Sequence, residues 1–331
     1  MRDVAELAGV SVQTVSNLLN QRYHLMTAET RGRVETAISA LSYHPNIAAR
    51  TLRSTRTETL CFMLLDQGNR FLADPMTDLV IAGIGDVARD RGYGLLIQAA
   101  RPDGQRPEFL RPLLERRTDG AFLFLSGEPA LRRWYTNQLL QLGLPFVLLE
   151  HSDEPSIVSV SPADREGARM LTEHLISRGH ERIAFVASSE PWPMIEQRLL
   201  GYRDALILAG LEPYELFRGD WTAAAGAEHA QTVMSVAKPP TAIMCSNDLL
   251  AIGAIRALHG RGLRIPEDIA VTGFDDFDFA ELVVPALTTV RVPGYELGST
   301  AAELLMTIIE GSEPTERRVI VPVAIQVRES A

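Results

Sequence analysis

The sequence of 331 residues contains only two cysteines and no run of 18 or more apolar residues. A membrane-spanning helix needs about 20 such residues, so we expect no membrane span. Met1-Arg2-Asp3 is not followed by the apolar stretch of a signal peptide, and we therefore expect the protein to act in the cytoplasm. Cys61 and Cys245 lie within apolar runs and lack metal-ligand or CxxC spacing, which predicts buried free thiols.

The phosphate-binding motifs of nucleotide enzymes are also missing. No G-x-G-x-x-G follows an apolar run, no Walker A sequence is present, and Gly83-Ile84-Gly85 falls inside a predicted helix. No Ser/His/Asp or Cys/His arrangement is recognisable by order. We therefore expect a protein that is not an enzyme, with no catalytic residue, no metal and no cofactor. A nucleotide-dependent enzyme on a doubly wound fold stays an open alternative.

Charge is distributed unevenly along the chain, which has a net charge of −10. Residues 1–58 carry seven arginines and five acidic residues, so this stretch is positive and the acidic excess lies in the remainder. A modestly basic head on an acidic body fits a protein that binds DNA through its first residues and keeps its body away from phosphates.

The N-terminus shows the pattern of two short helices joined by a tight turn. Val4, Leu7 and Ala8 have helical spacing and form one apolar stripe. Gly9 can adopt the left-handed conformation that ends a helix. Ser11 can cap the second helix by accepting a backbone N–H two or three residues later. This pattern predicts a helix-turn-helix.

The second helix has an inner face and an outer face. Val15, Leu18 and Leu19 are expected to face the first helix. A recognition helix presents its base-reading residues at its exposed start. The residues expected near that outer face are Val12, Gln13, Ser16 and Asn17.

A third helix is predicted to begin near Thr27. The Thr27 hydroxyl can cap it, and Glu29 suits the positive N-terminal end. The expected inner stripe consists of Val34, Ala37, Ile38 and Leu41.

These motifs resemble the lactose/galactose repressor family of bacterial transcription regulators. The resemblance begins with Asp-Val-Ala-x-x-Ala-Gly-Val-Ser-x-x-Thr-Val-Ser at residue 3. It continues through Thr30-Arg31-x-Arg33-Val34 and Leu41-x-Tyr43-x-Pro45-Asn46. It implies a DNA-binding domain over residues 1–45. The implied DNA-binding residues of this domain are Ser11, Val12, Gln13, Thr14, Ser16, Asn17 and Asn20.

Residues 46–57 resemble the hinge segment of that family. The helical part, residues 46–53, is too short to be stable alone in water. The family resemblance implies that two such helices pair over DNA and insert Leu52 into the minor groove, with Ala49 one turn earlier. An apolar wedge of this kind kinks the duplex. The alternative is a flexible linker with an incidental leucine.

From residue 58 onward, apolar runs alternate with helical patterns. Continuous apolar runs predict strands covered on both faces. The predicted strands are 60–65, 94–98, 121–125, 146–149, 183–186, 242–245 and 269–272, and a helix is predicted around 76–91. Two such series predict an α/β fold with two doubly wound parallel-sheet subdomains. This architecture resembles the periplasmic-binding-protein-like core that the family carries behind its all-helical head.

The core is therefore expected to span residues 58–331 and to hold an effector and a dimer partner. We predict subdomain one at about 58–160 plus 290–318. We predict subdomain two at about 161–289 plus 319–331.

Ligands of such sheets bind beyond the carboxyl ends of the strands. Four residues in the second half match family positions that line the effector cleft, namely Arg198, Trp221, Asn247 and Asp275. Candidates for the opposite wall are Phe71, Asp74, Ser126 and Glu150. Carboxylate, guanidinium, amide and indole groups together suit a sugar or related polyol.

Several of these residues also have structural alternatives. Arg198 could form an ion pair, and Phe71 could belong to the core. Asp248 is expected to cap the helix that follows Asn247, and Asp276 to hold its loop. Paired acids can also indicate glycoside hydrolysis, but an Asp-Asp pair after an open-sheet strand does not favour it.

Asn17 stands where many family members have arginine. Arginine pairs with guanine, whereas asparagine pairs with adenine. We predict that the operator base opposite Asn17 is not guanine.

These observations together predict a dimeric, ligand-responsive regulator, most simply a repressor, that binds a near-palindromic operator. A sugar-binding protein of a transport system is the alternative.

Overall fold

The computed structural model describes residues 1–19, 21–43, 56–66, 71–101 and 106–331. The chain forms two compact units, residues 1–57 and residues 58–331. In the described ranges, no helix is both long and apolar enough to cross a membrane. The predictions for Asn20, Ala49 and Leu52, and for the hinge up to residue 55, concern residues outside these ranges.

The first unit contains α1 (Arg2–Ala8), α2 (Val12–Leu19) and α3 (Ala28–Ala40), with a 3₁₀ turn at Tyr23–Leu25. Gly9 ends α1 with a φ of 62°, as its position predicted. Thr27 caps α3 by accepting the N–H of Thr30, which is also confirmed. The small core of this unit consists of Val4, Ala5, Ala8, Val15, Leu18, Val34 and Ala37.

Three sequence-based assignments in this unit are wrong. Leu7 is 57% exposed, because α1 buries Val4, Ala5 and Ala8 instead. Leu41 is also exposed, because α3 ends at Ala40 and Leu41 lies in the turn beyond it. Ser16 is buried rather than on the outer face, because the inner face of α2 takes in this small residue beside Val15. The DNA-binding role expected of Ser16 stays a prediction.

The second unit alternates strands with helices. Its strands are β1 (Thr59–Leu65), β2 (Gly94–Ala100), β3 (Gly120–Leu125), β4 (Phe146–Leu148), β5 (Ser159–Pro162), β6 (Ile183–Ala187), β7 (Tyr214–Phe217), β8 (Ala242–Cys245), β9 (Ala270–Thr272), β10 (Thr289–Arg291), β11 (Arg318–Val321) and β12 (Ala324–Gln326). Its helices are α4 (Pro75–Asp90), α5 (Arg106–Phe109), α6 (Arg111–Leu114), α7 (Pro129–Gln141), α8 (Asp164–Ser177), α9 (Pro193–Ala209), α10 (Ala223–Met234), α11 (Asp248–His259) and α12 (Gly294–Ile309).

The strands form two parallel sheets and one antiparallel ribbon. The larger sheet has the order β11-β5-β4-β3-β1-β2, and the smaller has the order β7-β6-β8-β9. β10 and β12 pair in an antiparallel ribbon. β1 and β3 are buried almost throughout, as expected for parallel strands covered by helices on both faces. Cys61 and Cys245 are buried free thiols in β1 and β8, as predicted.

The chain passes between the two sheets a few residues later than expected. β5 extends the larger sheet to Pro162, and β11 extends it to Val321. The predicted boundaries were 160 and 318. The strands at these crossings are short, and so few residues show no clear pattern. The subdomain boundaries predicted from the sequence therefore fell within these strands.

Helices α8 and α9 pack very closely, and this packing positions the candidate site. A Cβ atom on Gly201 of α9 would lie 2.0 Å from the backbone oxygen of Arg165 in α8. Only glycine permits this approach. It sets the middle of α9 against Arg165 and Arg169 near the start of α8.

Candidate functional site

The start of α2 carries the polar side chains expected to read DNA. Ser11 Oγ accepts the backbone N–H of Thr14 at 3.1 Å, so its capping role is confirmed. Gln13 Nε2 donates to Asn17 Oδ1 at 3.0 Å. This bond leaves the Gln13 oxygen as an acceptor and the Asn17 amide as a donor. Val12 and Gln13 are exposed beside them.

Arg198 lies at the centre of a buried ionic network in the second unit. It is 2% exposed, and its Nε donates to Asp164 Oδ1 at 2.7 Å. Its Nη2 donates to Asp275 Oδ1 at 2.9 Å, and its Nη1 donates to the backbone oxygen of Ser246 at 2.6 Å. The guanidinium carbon lies 3.7 Å from the ring centre of Phe274. The structural alternative for Arg198, an ion pair, is thus present, and it brings together the two predicted cleft residues Arg198 and Asp275.

Asp275, one of the partners of Arg198, has a strained backbone conformation. Its φ of 109° is in a region that residues with a side chain rarely adopt. The Asp275 N–H is held by the backbone oxygen of Val290 at 2.8 Å. Asp276 pairs with Arg291 and Arg328 at 2.7 Å, so it holds the loop as predicted. The loop thereby fixes the Asp275 carboxyl against Arg198.

The cap of α11 is Asn247 rather than Asp248. Asn247 Oδ1 accepts the N–H of Leu250 at 2.9 Å and caps α11, so the prediction that Asp248 is the cap is wrong. Asp248 accepts the Phe277 N–H at 2.9 Å and the Thr289 hydroxyl at 2.6 Å. The reason is geometric, because the cap is the residue just before the first helical turn.

The buried carboxyl groups around Arg198 have raised pKa values. Burial raises the pKa of Asp74 to about 6 and that of Asp248 to about 7. Burial also raises the pKa of Asp275 well above its ordinary value, although Arg198 opposes the shift. For Arg198, burial lowers the pKa, but Asp275 and Asp164 outweigh it and the net shift is upward. The folded state therefore binds protons at these buried carboxyl groups more tightly than the unfolded state does.

A cavity of about 50 Å³ lies beside Arg198. Ligand pockets usually measure about 300–1,000 Å³. The cavity is therefore smaller than a usual ligand pocket in this arrangement of the chain. Its described lining consists of Met76, Val80, Phe124, Leu149, Glu150, His151, Val160, Pro162, Asp164, Met194, Gln197, Arg198, Val292 and Leu297.

The remaining predicted residues have different surroundings. Asp74 caps α4 by accepting the Met76 N–H at 2.9 Å. Ser126 follows β3, and among the described residues its buried Oγ has no hydrogen-bond partner. The buried Nε1 of Trp221 likewise lacks one within the described chain. Phe71 begins a 3₁₀ turn at Phe71–Ala73. Of the eight predicted effector residues, the described lining of the cavity includes Glu150 and Arg198 and does not include Phe71, Asp74, Ser126, Trp221, Asn247 or Asp275.

Sequence reasoning missed Asp164 and Ser246. Both contact Arg198 directly, one through its carboxylate and the other through its backbone oxygen. Asp164 follows β5, a strand too short to be predicted, so its place at a strand end was hidden. Ser246 follows the predicted strand β8, and that position was the available signal.

Comparison with known proteins decides the family. Residues 1–46 match the model for bacterial regulatory proteins of the lacI family, and residues 172–331 match a periplasmic binding protein-like domain. The chain is 32% identical over 330 residues to the HTH-type transcriptional repressor PurR of Aliivibrio fischeri (strain MJ11), covering 96% of this chain and 94% of PurR. The chain belongs to the lacI family of bacterial regulatory proteins.

Solved structures of lacI-family proteins share the fold. The lac repressor dimer bound to operator and the anti-inducer ONPF has a TM-score of 0.89 and 29% identity, over 99% of this chain and 97% of that one. The complex of the transcriptional regulator CelR with cellobiose has a TM-score of 0.75 and 30% identity, over 99% of this chain and 98% of that one. The predicted α/β fold is confirmed. As a lacI-family member, this chain is a ligand-responsive, DNA-binding transcriptional regulator, and the transport alternative is wrong.

Proposed function

We propose that this chain is a dimeric repressor whose cleft around Arg198 binds a sugar or related polyol. Residues 1–45 form the DNA-binding domain, residues 46–57 the hinge and residues 58–331 the effector-binding core. The buried network that joins Arg198 to Asp164, Asp275 and the strand end at Ser246 carries the proposal, because its members Arg198 and Asp164 line a cavity between elements of both sheets. The operator-bound lac repressor dimer and the cellobiose complex of CelR support the partners.

The proposed mechanism is a shift between two arrangements of the core. An effector controls DNA binding only through its different affinity for the two arrangements. About 5.5 kcal/mol of such preference moves a 1:99 balance to 99:1. In the DNA-bound arrangement, Gln13 and Asn17 contact bases, and Leu52 with Ala49 contacts the minor groove. The protein acts on DNA in the cytoplasm and performs no catalytic step.

The test combines a thermal-shift screen of sugars with gel shifts on genomic fragments. A cleft ligand should raise the melting temperature by binding the folded state, and the same sugar should change operator affinity. Arg198→Lys keeps the buried charge but cannot make the same three contacts, so it should lose the thermal shift. Arg165→Lys, which changes an exposed arginine paired with Asp204, is the matched control. A wild-type chain that prefers no duplex over scrambled competitor, with or without sugars, would disprove the proposal.

A further inference from the structure

Residues from both subdomains meet where β3 ends and α7 begins. The backbone N–H of Gly127, two residues beyond β3, donates at 2.9 Å to the backbone oxygen of Pro191, which precedes α9. Arg132 of α7 donates through Nη2 to both carboxylate oxygens of Glu196 on α9, at 3.0 and 3.2 Å. β3 belongs to the larger sheet, and β6, which leads into α9, belongs to the smaller. These two contacts form a joint that holds the subdomains together in the described arrangement.

The two partners of the ion pair in this joint differ in burial. The Arg132 side chain is 9% exposed, whereas the Glu196 side chain is 46% exposed. Most of the surrounding pocket, including Thr136, Leu148 and Ile157, belongs to the larger-sheet subdomain and stays with Arg132 when the subdomains separate. A buried guanidinium that loses its carboxylate is strongly destabilising. Separation of the subdomains therefore requires a new partner for Arg132.

Glu150 offers Arg132 a second carboxyl group from its own subdomain. It follows β4 and lines the same pocket, and the charge of Arg132 acts on its pKa. Glu150 is 8% exposed, and within the described residues neither its Oε2 nor Arg132 Nη1 has a hydrogen-bond partner. Buried polar atoms are normally satisfied, and each exception calls for an explanation. An exchange of partners, in which Arg132 leaves Glu196 for Glu150, explains both exceptions.

The surroundings of Glu150 keep it protonated while Arg132 is paired with Glu196. Burial raises the pKa of Glu150 to about 8, with Arg132 lowering it and Glu196 raising it. The ionisable groups that line the two cavities beside Glu150 come from α7, α8, α9 and its own loop, and they are Arg132, Arg133, Asp164, Glu196, Arg198, His151, Asp153 and Glu154. The acidic side chains of α8 and the loop among them have other partners. Glu150 is therefore the carboxyl group that can receive Arg132.

We propose that Arg132 exchanges partners when the core opens, pairing with Glu196 across the joint in the closed arrangement and with Glu150 when the subdomains separate. Opening then breaks the Arg132–Glu196 ion pair, forms the Arg132–Glu150 ion pair and releases the Glu150 proton to water. A fall in pH therefore favours the closed arrangement, and a rise in pH favours the open one. The core thus responds to pH, whichever effector its cleft binds.

Proton release fixes how opening should depend on pH. Below the pKa of Glu150 in the closed arrangement, which is about 8, each opening event releases one proton. The opening constant should therefore rise about tenfold per pH unit between about pH 5.5 and about pH 7.5, and level off above about pH 8.5. An ion pair that only holds the joint, without an exchange of partners, gives no such rise.

Hydrogen exchange at two neighbouring amides of the full chain measures this opening. The Gly127 N–H donates across the joint, whereas the Ser126 N–H donates to the Leu65 oxygen within the larger sheet at 2.9 Å. Mass spectrometry with single-residue resolution, corrected for the intrinsic pH dependence of exchange, should show the protection of Gly127 falling about tenfold per pH unit. Ser126 should stay better protected than Gly127 at each pH, because opening of the joint leaves the sheet intact.

Two variants that keep the shape of the side chain separate an exchange of partners from a fixed ion pair. Glu196→Gln should speed exchange at Gly127 about tenfold at about pH 6, the size of one hydrogen bond to a charged group. It should also remove the pH dependence, because Arg132 then pairs with Glu150 in the closed arrangement as well. Glu150→Gln should remove the pH dependence and keep Gly127 protected at high pH. Glu212→Gln, which changes an exposed glutamate, is the matched control and should behave as wild type.

Each outcome decides for or against the exchange of partners. Protection of Gly127 that does not change with pH in the wild type would overturn it. A pH dependence that survives in Glu196→Gln would overturn it as well, because Glu150 would then lose its proton to water without taking Arg132. The experiment contains neither sugar nor DNA, so its failure leaves the proposed function intact, and failure of the proposed function leaves these exchange rates unaffected.

Discussion

Glu150→Gln should change how stability depends on pH. Burial raises the pKa of Glu150 from 4.5 to about 8 in the folded chain. The folded state then binds this proton more tightly than the unfolded state does. The resulting stabilisation is complete below the unfolded pKa and is lost as pH rises through the folded pKa.

The size of the effect follows from the two pKa values. A tenfold change in proton affinity is worth about 1.4 kcal/mol. Between about pH 5 and about pH 8.5, the wild-type chain should therefore lose about 4 kcal/mol more of its free energy of unfolding than the glutamine variant does. The variant removes the titration but keeps the shape of the side chain, so the difference isolates this one carboxyl group.

Urea denaturation at several pH values, followed by circular dichroism, measures this difference. Glu212→Gln, which changes an exposed glutamate, is the matched control and should stay within about 0.5 kcal/mol of wild type. Parallel stability curves for wild type and Glu150→Gln across this pH range would refute the reasoning. They would mean that Glu150 is hydrated or paired with a cation in solution.

Three other substitutions test the fold and the DNA interface. Gly201→Ala should cost about 1–3 kcal/mol in urea denaturation, because its Cβ would meet the Arg165 backbone oxygen at 2.0 Å; Gly85→Ala, with nothing within 4 Å, should be neutral or stabilising. Asn247→Ala should cost about 0.5–2 kcal/mol by removing the α11 cap, and an unchanged denaturation midpoint would contradict that role. Asn17→Ala should relax selection at one operator base in a binding-site selection, and recovery of guanine there by the wild type would contradict the predicted readout.

The sequence predicted the strands that consist of long, continuous runs of apolar residues. β1 and β3 are continuous apolar strands, and their burial follows from helices on both faces. The sequence did not predict β5, β7, β10, β11 or β12, because each is short and mixes apolar with polar or charged residues. Tertiary pairing rather than local preference forms these short strands.

The candidate site was predictable in part, because residue type and strand-end position both point to Arg198 and Asp275. Which acid pairs with that arginine was not predictable. Asp164 is brought to it by the close packing of α8 on α9, a contact between residues distant in sequence. Asn247 and Asp248 were interchanged because helix starts are uncertain by a residue when read from sequence alone.

The contacts of Arg198 bear on attempts to retune this regulator. A guanidinium has five N–H groups, and three of those on Arg198 are committed to Asp164, Asp275 and the Ser246 carbonyl. Replacing Arg198 would therefore disturb the contacts among these chain segments as well as any contact with an effector. Designers who want a sensor for a new compound should therefore leave this arginine in place and vary its neighbours in the cavity lining, such as the half-buried Met194 and Gln197.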